Sequence, residues 1–179
     1  MTGESYRDFT TPTEPPLVLD DPESADWNDE ADIVLIGFGG AGAAAGLEAC
    51  EQGASVLALD RFGGGGTTAF SGGVIYAGGT RFQREAGIDD TAEEMFNYLF
   101  HEGVTVRPET LRRYCDTSSA NLDWLDSHGV RFGSNPYAPS TSYPPDGHFL
   151  YYSGMEKFRP EVAKVAPRGH RAVGKGMSG

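Results

Sequence analysis

Apolar positions along this chain fall into runs of different period, and each run predicts an element. Asp32-Ile33-Val34-Leu35-Ile36 is a continuous, β-branched stretch, the pattern of a strand buried on both faces of a parallel sheet. Ala41 to Gln52 is rich in alanine and other small residues, predicts a helix, and stops at Gly53, a residue suited to the position just past a helix end. Ser55-Val56-Leu57-Ala58-Leu59 is a second strand-like run and ends in Asp60. Strand, helix and strand in that order make a βαβ unit, which closes right-handed.

Further on, the period becomes helical. Asp90-Thr91-Ala92-Glu93-Glu94 supplies a capping residue and early carboxylates, and Met95, Phe96, Leu99 and Phe100 follow at helical spacing, which predicts a helix from about Thr91 to Glu102. A second helix is predicted from Pro108, with Leu111, Tyr114, Cys115, Leu122 and Leu125 along one face and a stop at Gly129. Two adjacent amphipathic helices imply a small helical layer. From Gly133 onward, seven glycines and six prolines predict mostly irregular structure with no second βαβ unit. The fold class expected is α/β, a Rossmann-like domain built on a parallel sheet.

Composition changes this picture at the amino terminus. Residues 1–30 hold nine acidic residues against the single Arg7, with four prolines, and supply -8 of the net charge of -12. Such a segment buries too little apolar surface to offset its ordering entropy and predicts a disordered acidic arm. Residues 31–80 would then form the βαβ unit and a glycine-rich loop, and 81–179 the helical pair and irregular segment. The acidic balance argues against a nucleic-acid partner, which needs clustered Lys and Arg. Cys50 and Cys115 are too few for a disulfide scaffold and predict small core residues in a reducing, cytoplasmic compartment. No apolar run is long enough for a transmembrane segment.

Chemistry concentrates in Gly37-Phe38-Gly39-Gly40-Ala41-Gly42, a G-x-G-x-x-G that leaves the first strand and opens the helix, with Asp60 at the end of the second strand. Gly37 suits the tight turn, Gly39 removes the Cβ that would block a pyrophosphate, and Gly42 lets the helix approach the strand. The helix amino terminus then offers free N–H groups to a diphosphate, so no basic side chain is required. Asp60 would take the ribose hydroxyls of an adenosine and repel a 2′-phosphate, which disfavours NADP. FAD is favoured over NAD by a second stretch, Gly63 to Gly79, in which eight of seventeen residues are glycine. Its Gly65-Gly66-Thr67-Thr68 and Ser71-Gly72-Gly73 offer amides and hydroxyls to a ribityl chain and an isoalloxazine edge.

The order of these motifs, with the pair Asp60-Arg61, resembles the FAD-binding flavoprotein family that contains fumarate reductases and 3-ketosteroid dehydrogenases. Ser71-Gly72-Gly73-Val74-Ile75-Tyr76-Ala77-Gly78-Gly79-Thr80, Gln83-Arg84-Glu85-Ala86-Gly87, Tyr152-Ser153-Gly154 and Ala166-Pro167-Arg168-Gly169-His170 are most similar to the ketosteroid Δ4-(5α)-dehydrogenase branch. The resemblance implies an FAD-dependent oxidoreductase that removes a proton beside a carbonyl of a steroid-like ketone and passes hydride to flavin N5. A fumarate reductase-like enzyme and an inactive FAD-binding fragment are the alternatives. It also implies that the chain is an amino-terminal fragment whose catalytic residues lie beyond Gly179, so none is assigned, and no electron acceptor is indicated. Asp60 stands where the family more often has Glu. No histidine lies between Asp60 and Thr80, so the FAD is expected to be noncovalent.

Among the remaining polar residues, Tyr76, Tyr143, Tyr151 and Tyr152 are candidates for the edge of a flavin or substrate mouth, against the simpler role of packing loops. Arg168 and His170 read equally as active-site residues or as a surface turn. His101, His128, His148 and His170 are scattered without ligand spacing, which predicts no metal site.

Overall fold

A computed structural model describes residue 15 and residues 17–175. Half of the predicted acidic arm, residues 1–14 and 16, lies outside the described residues. Its remainder includes one 3₁₀ turn, Pro22–Ser24, capped by the Asp21 carboxylate.

Strand β1 (Ile33–Ile36) pairs in parallel with β2 (Val56–Leu59), joined by helix α1 (Gly40–Glu51). Two aspartates bracket the pair. At its start Asp32 accepts hydrogen bonds from the Ser55 amide (2.8 Å) and hydroxyl (2.7 Å), and at its end Asp60 ties β2 to the turn that follows β1. The packing differs from the sequence expectation: β1 is not buried on both faces, and Ile36 is 82% exposed. Among the described residues the unit has two strands, and α1 covers one face of them, through Gly46 and Ala49. Cys50, expected in the core, is exposed at the end of α1, whereas Cys115 is buried and its thiol is pushed up to about 11 by that burial.

The second half contains a sheet that the Gly/Pro content concealed. Strands β3 (Val74–Tyr76), β4 (Pro136–Ser140), β5 (Leu150–Tyr152) and β6 (Gly169–Arg171) associate in the order β3-β6-β5-β4, antiparallel except for the β4–β5 pair. Since β3 follows directly on the glycine-rich loop, that loop is anchored in this second sheet.

Three helices pack on it. The short α2 (Arg81–Glu85), not foreseen, begins with a capping box in which Thr80 and Gln83 satisfy each other's backbone amides. Helices α3 (Ala92–His101) and α4 (Pro108–Ser127) are those the periodicity predicts, capped by Thr91 and opened by proline respectively. In α3 the buried face is Met95 and Tyr98; Phe100, expected inside, is half exposed. Helix α4 serves two apolar clusters. Leu111 and Cys115 meet Met95 and Tyr76 near one end, while Leu122 and Leu125 meet Phe82, Phe132 and Ile75 at the other.

Charged groups are also inside this half. Arg168 and Asp90 are both fully buried and bonded twice, from Arg168 Nε to Asp90 Oδ2 (2.9 Å) and from Nη2 to Oδ1 (2.7 Å). His170 is buried too, so the surface-turn reading of this segment does not hold: Gly169–Arg171 is an interior strand. The His170 ring bonds at both nitrogens, with Nδ1 2.9 Å from the Arg168 carbonyl and Nε2 2.8 Å from the Thr80 hydroxyl. Because a carbonyl can only accept, Nδ1 carries the proton and Nε2 accepts from Thr80.

Burial presses the His170 pKa down from 6.5 to about 4, so the folded protein holds it neutral. Between those values the unfolded chain takes up a proton that the folded chain refuses. Its contribution is therefore fully present above pH 6.5 and lost as pH falls towards 4, by up to about 3 kcal/mol. Denaturant melts from pH 7.5 to 4.5 should show this decline, and His170→Asn should flatten it while lowering stability at neutral pH. An unchanged slope in the variant would assign the acid sensitivity to another group. Asp32, Asp60 and Asp89, all held below the usual carboxylate range by hydrogen bonds, act only at lower pH.

Candidate functional site

The turn from β1 into α1 is shaped by what its backbone must avoid. A Cβ on Gly42 would lie 2.2 Å from the Gly37 carbonyl oxygen, so only glycine lets the first turn of α1 close over the end of β1. Gly37 itself has φ +95°, a conformation L side chains rarely adopt. The turn is pinned to β2 by the Gly37 amide, which donates to the Leu59 carbonyl (2.7 Å), and by the Phe38 amide, which donates to Asp60 Oδ2 (2.6 Å).

Asp60 Oδ1 accepts from the Phe62 amide (2.7 Å), so the carboxylate joins two loops. These amides, Phe38 first, lower the Asp60 pKa from its ordinary carboxylate value. An open cleft of about 400 Å³ lies against it, lined by Phe38, Ala58, Asp60, Phe62, Gly63 and Gly64. Arg61 points its guanidinium over the Phe62 ring, 5.6 Å from the centroid.

The glycine-rich loop folds back onto this turn. The Gly65 amide donates to the Phe38 carbonyl, and a Cβ on Gly66 would stand 3.1 Å from Gly39 Cα, backbone against backbone. Thr68 Oγ1 accepts from the Gly40 amide (3.2 Å), supplying from a distance the helix cap that Gly39 lacks. Thr67 precedes the 3₁₀ turn Thr68–Phe70, and Ser71, Gly72 and Gly73 carry the chain into β3. Gly37, Gly39, Gly40, Ala41, Gly42, Asp60, Gly65, Gly66 and Thr68 thus gather at one end of the β1–β2 pair. Arg61 leaves that cluster, and Ser71-Gly72-Gly73 leads away from it to the second sheet.

The residues present suit an anionic dinucleotide. The N–H groups of Gly39, Ala41 and Gly42 have no acceptor among the described residues, at the amino end of a 12-residue helix whose dipole favours negative charge. The cleft beside Asp60 adjoins these donors through Phe38.

The four tyrosines mostly hold loops. Tyr143 donates to the Gly72 carbonyl (3.0 Å), Tyr151 to the Ser142 carbonyl (3.2 Å), and Tyr76 to Glu156 Oε1 (3.0 Å), while Tyr152 lies under the Lys157 ammonium. Burial pushes the Tyr151 phenol up to about 12 and Tyr76 further, so both stay neutral donors. Sequence reasoning missed the buried Asp90 and Glu156, since nothing local separates them from surface acids. Among the described residues no cluster of three or more His, Cys, Asp or Glu is arranged for a metal. No helix among them is long and apolar enough to cross a membrane.

Comparison with known proteins agrees with this geometry. The chain is 47% identical over 164 residues to a 3-oxo-5-alpha-steroid 4-dehydrogenase of Comamonas testosteroni, covering 88% of this chain and 31% of the relative. It is 37% identical over 102 residues to an NADH:fumarate oxidoreductase of Klebsiella pneumoniae, covering 55% and 11%. The crystal structure of a 3-ketosteroid-delta4-(5alpha)-dehydrogenase from Rhodococcus jostii RHA1, in complex with 4-androstene-3,17-dione, superposes with a TM-score of 0.79 at 39% identity, covering 86% of this chain and 33% of that one. The chain therefore spans about a third of the length of these two steroid dehydrogenase relatives. The FAD binding domain profile matches residues 32–170, which include the Gly37–Gly42 turn, Asp60 and the second sheet as far as His170. This chain belongs to the FAD binding domain family.

Proposed function

We propose that this chain is the FAD-holding part of an oxidoreductase that acts on 3-ketosteroids or ketones of similar bulk. The observation that carries the cofactor is the set of amides at Gly39, Ala41 and Gly42 that lack an acceptor among the described residues, beside the anchored Asp60. Identity to a steroid dehydrogenase along 88% of the chain carries the substrate class, and the shorter match to a fumarate oxidoreductase makes that reading secondary.

FAD, when bound, supplies the acceptor for hydride. The chain's own residues bind and orient it. Gly39, Ala41 and Gly42 direct N–H groups at the diphosphate, and Gly40 reaches it with Thr68, whose hydroxyl keeps a proton to donate. Asp60 receives the adenosine ribose in the adjoining cleft, while the Arg61 guanidinium stays over the Phe62 ring. Gly65, Gly66 and Thr67 line the path from diphosphate to ribityl chain, and Ser71, Gly72 and Gly73 face the flavin edge. No histidine stands between Asp60 and Thr80 to form a covalent link, so the FAD is noncovalent. The free thiols of Cys50 and Cys115 are consistent with a cytoplasmic location.

Protein expressed from the complete reading frame should be yellow, release FAD on heating or acidification, and reduce an artificial electron acceptor with a 3-ketosteroid as donor. Uptake of NAD without FAD would defeat the proposal, and turnover confined to an unsaturated dicarboxylate would move it to the fumarate branch. Asp60→Asn should weaken FAD binding by roughly tenfold, because the amide NH₂ opposes one of the two backbone donors that the carboxylate accepts. Titration of the deflavinated protein with FAD measures it, and unchanged affinity would remove Asp60 from the site.

A further inference from the structure

The loop that enters β3 is held from outside by a clamp with no counterpart in the dinucleotide motif. The Tyr143 ring lies directly on Gly72: a Cβ there would come within 2.6 Å of the ring carbon Cε2. Its hydroxyl donates to the Gly72 carbonyl (3.0 Å), while the Gly73 amide, at the other end of the same peptide, donates to Ser71 Oγ (3.1 Å). That peptide is therefore fixed at both poles. Behind the ring stands Arg171, its guanidinium 4.7 Å from the centroid. Arg171 is 1% exposed and donates to the Pro144 and Pro145 carbonyls and to Asp146 Oδ1 (2.6 Å), so the segment bearing Tyr143 is lashed to β6. The residue after β6 also takes the loop itself, the Ala172 amide donating to the Gly73 carbonyl (3.3 Å).

Two donors remain on the open side. The Ser71 hydroxyl accepts from Gly73 but donates to nothing among the described residues, and the Gly72 amide likewise has no acceptor there. We propose that Tyr143, steadied by Arg171, is a positioning residue for the cofactor: it sets the Gly72–Gly73 peptide so that the Ser71 hydroxyl and Gly72 amide donate to the flavin ring edge. The inference rests on the reading above that Ser71-Gly72-Gly73 meets the flavin. Tyr143 touches the loop and acts through it. Donors held in place stabilise the negative charge that a flavin gains on reduction, because they need no reorganisation when it appears.

The test uses the full-length flavoprotein and reads the flavin itself, by visible absorption and midpoint potential, with FAD affinity alongside. Tyr143→Phe keeps the ring on Gly72 and removes one hydroxyl. It should shift the flavin band, lower the midpoint potential and weaken FAD about five- to tenfold. Ser71→Ala, which deletes a proposed donor, should move band and potential in the same directions. If Ser71→Ala shifts the flavin and Tyr143→Phe does not, the positioning role is overturned while the loop's contact with the flavin stands. If neither does, the flavin reading of the loop fails first. Should Tyr143→Phe not fold, Asp146→Asn decides: it loosens the Arg171 anchor at a half-exposed site, and should give a smaller shift of the same sign if Tyr143 acts as proposed and none if it does not.

Discussion

Gly42→Ala is expected to give a protein that purifies without flavin and binds added FAD on the order of a hundredfold more weakly, while Gly46→Ala, one turn along the same helix, stays yellow. The two substitutions add the same methyl group. At Gly42 it meets backbone, 2.2 Å from the Gly37 oxygen and 3.2 Å from its carbonyl carbon, so the turn or the helix must move. At Gly46 it meets the end of the Leu35 side chain at 3.2 Å, which can rotate aside, and alanine is the better helix former by roughly 1 kcal/mol. Overfilling a tight site costs about 1–3 kcal/mol, occasionally more, and displaced amides forfeit charge-assisted bonds of about 1.5–3 kcal/mol each. Loss of two such bonds accounts for the hundredfold. Flavin-to-protein absorbance ratios after purification decide the matter. Gly42→Ala protein with a full complement of FAD would mean that the diphosphate is held elsewhere.

The region that made this prediction possible was legible from residue order, and the reason is physical. A continuous apolar strand, a small-residue helix and a second strand each impose a local pattern, and Asp60 stands just past the end of the second strand. Helices α3 and α4 were legible for the same reason, since their apolar stripes repeat at 3.6 residues. The second sheet was not. Strands β3, β5 and β6 are three residues long, too short to display alternation, and β4 contains two prolines, Pro136 and Pro139. What specifies them is long-range: Arg168 meets Asp90 across 78 positions, and Tyr143 meets Gly72 across 71. Composition also misled for β1. Its apolar residues predict two covered faces, but the described residues provide a cover on one only. The Asp60 carboxylate shows a subtler gap, because spacing foretold its place beside the turn and not that two backbone amides already occupy it.

Asp90→Ala should be among the most damaging single changes outside the dinucleotide turn, costing about 3–5 kcal/mol, because it strands the Arg168 guanidinium in the interior. Against a total stability of about 5–15 kcal/mol, much of the protein would be unfolded at 37 °C. Arg168→Met should cost less if Gln83, whose side-chain amide also donates to Asp90 (2.9 Å), keeps the carboxylate satisfied. The double variant is the informative one. Arg168 is imperfectly paired even in the wild type, with Nη1 buried and lacking a partner among the described residues, so an apolar replacement of both partners removes that cost as well. Asp90→Ala with Arg168→Met should therefore be more stable than Asp90→Ala alone, with a coupling of at least about 1 kcal/mol in a denaturant double-mutant cycle. Additive losses would mean that the two groups do not interact across the core. The consequence reaches the cofactor, because the Arg168 carbonyl accepts from the Ala77 amide (2.9 Å) where β6 lies against β3. Freeing that end of β6 loosens the strand on which Ser71-Gly72-Gly73 is mounted, so Asp90→Ala should lose flavin at temperatures where the rescued double variant retains it.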